Sequence, residues 1–112
     1  MLKRLTVYSL PEGTDGEAFW KYHVQGHAAD CMRASGQWRT KYVINRVTKT
    51  LYGKPQFFGV IETWWKNKDA MEKDMEALKT TRLPNGKTIE EDFSSQVAGA
   101  FSVLVEEFVV KE

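Results

Sequence analysis

Apolar and polar residues alternate from Leu2 to Leu10, and the run stops at Pro11 and Gly13. A period of two is that of a strand with a buried face. Thr14-x-x-Glu17 then reads as a capping box, and the period changes to that of a helix. Phe19, Trp20, His23, Val24, His27, Cys31 and Ala34 fall on one stripe, with Glu17, Lys21 and Gln25 opposite. The helix is expected to run to about Ala34 and to stop at Ser35-Gly36. Trp38 to Val47 reads as a second strand, followed by a loop that carries Gly53 and Pro55. Gln56 to Trp65 is the third strand. Asn67 is placed to cap a second helix with Met71, Met75 and Leu78 on one face. Pro84-Asn85-Gly86 breaks the chain. A second capping box, Thr88-x-x-Glu91, opens a short helix through Phe93 to about Val97, and Ala100 to Val110 forms the last strand.

The order strand, helix, strand, strand, helix, strand predicts an α+β fold: the ferredoxin-like βαββαβ unit, with a short extra helix before the last strand. One domain spans residues 1–112. Helices cover one face of such a sheet, and the other face is normally polar. Here both faces read as apolar. In the third strand Phe57, Ile61 and Trp65 alternate with Phe58, Val60 and Trp64; in the last, Phe101, Val103, Val105 and Val109 alternate with Leu104, Phe108 and Val110. A second copy of the sheet is the cheapest cover, so the pattern predicts a homodimer whose two sheets face each other as a barrel.

Composition narrows the function classes. The formal net charge is +1 and basic residues form no stripe, which argues against nucleic acid. No apolar run reaches the roughly 20 residues needed to span a bilayer. A single cysteine, Cys31, permits no internal disulfide and suits a reducing compartment. The start of the chain carries no signal-peptide core. The expectation is a soluble, cytoplasmic protein with no membrane partner.

The candidate chemistry lies on the first helix. His23 and His27 are the only histidines, four residues apart on an apolar stripe. An imidazole there must find partners for its nitrogens or serve as an acid or base. Histidines at i, i+4 also have metal-ligand spacing, but His-Val-Gln-Gly-His lacks the zincin glutamate and no further histidine exists. No metal is therefore expected. Gly26, beside His27, either allows a close approach to the backbone or serves helix–sheet packing. Tyr8 and Tyr42 could donate phenolic hydrogen bonds to a carbonyl or enolate. Trp20, Trp38, Trp64 and Trp65 would suit an aromatic ligand or simply fill the core. Glu62 falls between Val60 and Trp64. An apolar setting would raise its carboxyl pKa, and the plainer reading puts it at a sheet edge or subunit interface. No nucleophile elbow and no phosphate-binding glycine loop is present.

The stretch Gly16-Glu17-Ala18-Phe19-Trp20-Lys21-Tyr22-His23, followed by His27, resembles the EthD-like family of the dimeric α/β barrel superfamily. Phe19, Tyr22 and His27 fit the family's helix pattern, and Tyr42 and the ending Glu106-Glu107-Phe108-Val109 are also similar. Ala28-Ala29 stands where the family commonly has Gly-Pro. The resemblance implies a dimer with a pocket in each subunit, between sheet and helices, and matches His27 to the family histidine. Relatives include lactone isomerases, polyketide cyclases, dehydratases and oxygenases, many without a cofactor. The expectation is a cofactor-independent lyase, isomerase or cyclase acting on a small, largely apolar carbonyl or lactone compound. His27 would be the acid–base group, supported by His23 and Tyr8. Phe19, Trp20, Tyr42, Glu62, Trp64 and Trp65 would meet the substrate. The alternatives are a monooxygenase of the same fold, cofactor-free or haem-degrading, and a non-catalytic small-ligand-binding protein.

Overall fold

A computed structural model describes residues 1–112. Strands β1 (Leu2–Ser9), β2 (Arg39–Arg46), β3 (Gly59–Trp65) and β4 (Ala98–Val105) form one antiparallel sheet in the order β2-β3-β1-β4. This is the ferredoxin-like arrangement predicted by the element order. Helices α1 (Gly16–Lys21), α2 (Ala28–Ser35), α3 (Lys68–Thr80) and the short α4 (Ile89–Ser94) complete it. No helix is long and apolar enough to cross a membrane.

The caps differ in one detail from expectation. Asp15, not Thr14, opens the first helix, its carboxylate accepting from the amides of Glu17 and Ala18. Asn67 caps α3 as predicted, and Thr88 and Glu91 form the reciprocal capping box of α4.

Between α1 and α2 the helix widens into a π turn over Tyr22–His27, marked by the Ala28 amide bonding to the His23 carbonyl. The buried residues of the whole helix are Phe19, His23, His27, Cys31 and Ser35, every fourth position. In an unbroken α-helix each four-residue step drifts about 40° around the axis. Bonding from i to i+5 widens the turn past four residues and brings this series back onto one face. Val24, which an α-helical period places on the stripe, is correspondingly turned outward, and Ser35 rather than Ala34 is buried.

Arg4, Thr6, Tyr42, Ile61, Ala100 and Ser102 face the helices, alongside the buried Tyr8 and Trp65. By alternation Leu5, Val7, Val43, Val60, Glu62, Trp64, Phe101, Val103 and Val105 lie on the open face. The alternation slips just before β3. Phe58 packs on Tyr8 and Phe19 at the helix side while Phe57 packs on Phe101 at the open side. Phe58 therefore does not share a face with Val60 and Trp64, and Phe57 does not share one with Ile61. The last strand ends at Val105, short of Val110; Phe108 and Val110 lie exposed beyond it. Gly59 is where the sheet meets Tyr8: a Cβ there would stand 2.5 Å from the phenol oxygen.

Candidate active site

A cavity of about 230 Å³ lies between the helix-covered face of the sheet and the helices. Thr6, Tyr42 and Ile61 form part of its floor; His27 and Cys31 come from the first helix, Met75 and Leu78 from α3, and Phe93 from α4. The lining is mostly apolar, with a few polar groups at fixed places, the usual make-up of a small-molecule site.

His27 is 7% exposed and is the one histidine on the cavity wall. Its ring stacks on Phe93 at 4.3 Å between centroids, and its Nε2 lies 3.4 Å from the Cys31 thiol. Burial holds its pKa down to about 3, aided by His23 and Arg39, so the ring is neutral at physiological pH. Cys31, one turn on, is itself buried, and its thiol pKa is pushed up by desolvation.

His23 lies behind this wall. It is fully buried, and its Nδ1 sits 2.7 Å from the Tyr8 hydroxyl. Its Nε2 has no hydrogen-bond partner. Desolvation lowers its pKa to about 4. Tyr8, also fully buried, has its phenol pKa raised by burial. Neither lines the cavity. The two imidazoles are 5.5 Å apart by ring centroid, and Phe93 touches both.

The other expected substrate contacts divide sharply. Tyr42 lines the cavity. Phe19 is core, packed on Tyr8, Tyr22 and Phe58. Trp20 is half-buried beside Phe58 and the Arg46 guanidinium. Trp65 is fully buried and donates its indole N–H to Asp74 at 2.6 Å. Glu62 and Trp64 are on the open face, where Glu62 meets Lys3 and Asn45 and Lys3 lies over the Trp64 ring. Its carboxyl pKa is lowered, chiefly by the Asn45 hydrogen bond, not raised. An added Cβ at Gly26 would make only ordinary contact with Tyr22, so no close backbone approach requires that glycine. No three His, Cys, Asp or Glu side chains gather where they could hold a metal ion.

The largest omission from the sequence reading is a cationic end of the cavity. Arg39 is clamped to Asp74 by two bonds, Nε to Oδ2 at 2.8 Å and Nη2 to Oδ1 at 3.2 Å. Its guanidinium also stacks over Tyr42 at 4.4 Å. Arg4 lines the same cavity and lies 5.0 Å over the Trp65 ring. Two signals for these residues were in the sequence. The helix-facing positions of β1 read Arg4, Thr6 and Tyr8, polar where core is expected. Asp74 falls at helical spacing from Met71 and Leu78, a carboxylate in an apolar stripe.

The sequence matches no family model and no curated protein. Solved structures do match. An ethyl tert-butyl ether D (EthD) family protein from Bacillus halodurans C-125 superposes with a TM-score of 0.67 at 21% identity, covering 96% of this chain and 99% of that one. SnoaB, a cofactor-independent oxygenase from Streptomyces nogalater, superposes at 0.64 with 12% identity, covering 99% and 97%. A dimeric ferredoxin-like protein from an uncultured marine organism superposes at 0.62 with 13% identity, covering 98% and 92%. Identities this low carry the fold and not the chemistry. The chain thus shares the ferredoxin-like α+β fold of these proteins over nearly its whole length.

Proposed function

We propose that the cavity is the active site of a homodimeric, cofactor-independent lyase, isomerase or cyclase. Its substrate is a small, largely apolar carbonyl or lactone compound, and His27 moves the proton. The observation that carries this reading is the placement of His27: a neutral imidazole on the wall of a mostly apolar cavity. A neutral ring can accept a proton, and a dry site strengthens its interaction with charge that develops there. In the tautomer whose Nε2–H donates to the Cys31 sulfur, Nδ1 carries no proton and is left as the base for substrate. It would take a proton from carbon beside the substrate carbonyl, leaving an enolate and an imidazolium. Return of that proton to another carbon completes an isomerisation, and its delivery to a leaving group completes an elimination. Tyr8 and His23 support His27 from behind, by fixing the packing of Phe93.

The dimer rests on the open face of the sheet. Phe101 and Val103 are 49% and 46% exposed there, and Leu5, Val7, Val60 and Val105 extend the patch. A second copy of the same face covers it with a self-complementary surface. The dimeric state of a fold neighbour supports a dimer.

The test is proton exchange. Wild-type protein and His27→Gln would be incubated in D2O with a panel of ketones and lactones and followed by NMR. Catalysed exchange of α-hydrogens that falls by about 10²–10⁴-fold in His27→Gln is the expected result. Equal exchange by both proteins would overturn the assignment. The likeness to SnoaB favours one second reading, a cofactor-free oxygenase. Substrate-dependent oxygen uptake, absent from the first reading, separates the two.

A further inference from the structure

Arg4 is the one sheltered charged group of the cavity that the protein leaves unanswered. Its side chain forms no hydrogen bond and no ion pair within the chain, and its Nε is buried without a partner. Asp74, the buried carboxylate nearby, is already spent: Oδ1 and Oδ2 accept from Arg39, and Oδ2 also accepts from Trp65. Thr6 and Ser102, the hydroxyls beside Arg4, bond to each other at 2.7 Å. Glu90 sits at the exposed mouth and pairs with neither arginine. Arg4 and Arg39 bring two positive charges to this end of the cavity against one negative.

An unpaired guanidinium in a sheltered, mostly apolar site is costly unless something else completes it. Directly across the sheet from Arg4 stands Thr63, whose buried hydroxyl is also unpartnered. The Trp65 ring under Arg4 supports the guanidinium plane. A fixed planar fork of N–H donors, with a single surplus charge, matches a planar monoanion. A phosphate dianion would need more donors than this cavity offers.

We infer that Arg4 is the receptor for a carboxylate carried by the cavity's ligand. The substrate class is then a small carbonyl or lactone compound bearing one carboxylate, anchored at Arg4 and presenting its apolar reacting part to the wall that holds His27. This rests on the proposed function for the reaction, but not for the binding.

Three probes separate the possibilities: benzoate, the neutral and nearly isosteric benzamide, and inorganic phosphate. Binding would be followed by NMR titration of the protein and by ligand saturation transfer. Benzoate should bind at one site per chain and shift the resonances of His27 and Phe93. Its affinity should fall at least about tenfold in Arg4→Gln and less in Arg4→Lys. Benzamide should not distinguish wild type from Arg4→Gln, and Arg33→Gln, at the surface, should leave benzoate binding unchanged. The melting temperature of unliganded Arg4→Gln should equal or exceed that of wild type, because the change removes a buried, unpaired charge. Benzoate binding unaffected by Arg4→Gln would overturn the inference. So would phosphate binding at Arg4 as tightly as benzoate, or an Arg4→Gln protein that unfolds. If benzoate binds wild type through Arg4 in this way while wild type catalyses no proton exchange, the proposed reaction fails and the carboxylate site stands.

Discussion

The Tyr8 hydroxyl and His23 Nδ1 lie 2.7 Å apart in the protein interior, and neither residue reaches the cavity that His27 lines. Two histidines one step apart on the helix thus have different surroundings. His23 is tied to the sheet through Tyr8, whereas His27 is stacked on Phe93 with the cavity beside it.

Both rings titrate far below an ordinary histidine, and the sign of the consequence follows. The unfolded chain takes up protons below about pH 6.5, while the native rings, at about 4 and about 3, do not. Their contribution to stability is therefore complete above the unfolded value and is lost as pH falls toward the folded ones. The loss approaches about 1.4 kcal/mol per pH unit for each ring. Urea denaturation between pH 7 and 5 should show this slope, before most carboxylates titrate, and His27→Phe should lose about half of it. A flat profile in wild type would contradict the burial of these rings.

The same shift predicts the pH–rate profile. With His27 neutral throughout, kcat/KM for the free enzyme should show no histidine ionisation between pH 5 and 9. An inflection near pH 6.5 that disappears in His27→Gln would show instead that the ring is well hydrated.

Asp74 joins Arg39 to Trp65, with the Arg39 and Asp74 side chains only 3% and 1% exposed. Removing the carboxylate leaves a buried cation without its partner. Asp74→Ala should cost about 3–5 kcal/mol in chemical denaturation, or prevent folding. Trp65→Phe, which loses one hydrogen bond to a charged group, should cost less in polar terms and add a packing loss.

Gly59 faces Tyr8 across β1 and β3. Because a Cβ would sit within 2.6 Å of three atoms of that phenol, Gly59→Ala must displace the ring. A destabilisation of about 1–3 kcal/mol is expected, with a changed His23 ring environment by NMR. No change in either would mean that Tyr8 is free to move.

The last strand gives a matched pair for the assembly. Val105 is opposite Lys3 on the open face, and Leu104 is opposite Arg4 on the helix side. Val105→Asp should shift sedimentation from a dimer toward the 12.9 kDa chain, whereas Leu104→Asp should leave the assembly intact. A wild-type protein that sediments as a monomer at micromolar concentration would remove the basis for a face-to-face sheet pair.

Element order, caps and fold class were legible in the sequence because they depend on local periods and turn chemistry. Asn67, the Thr88–Glu91 box and the break at Pro84-Asn85-Gly86 each act over a few residues, and they mark where the helices begin and stop. The apolar content of both sheet faces was legible too, since alternation needs no partner to be read. His27 on the inner stripe came from the same kind of pattern. What tertiary structure alone decided is which polar groups meet. A π turn, invisible to a 3.6-residue period, sets the face that His23 and His27 share. The pairing of β1 with β3 put Arg4 opposite Thr63, and α3 carried Asp74 to Arg39, 35 residues earlier in the chain. These contacts depend on the register and packing of distant segments, so the cavity's charge was settled only when the sheet and helices closed on one another.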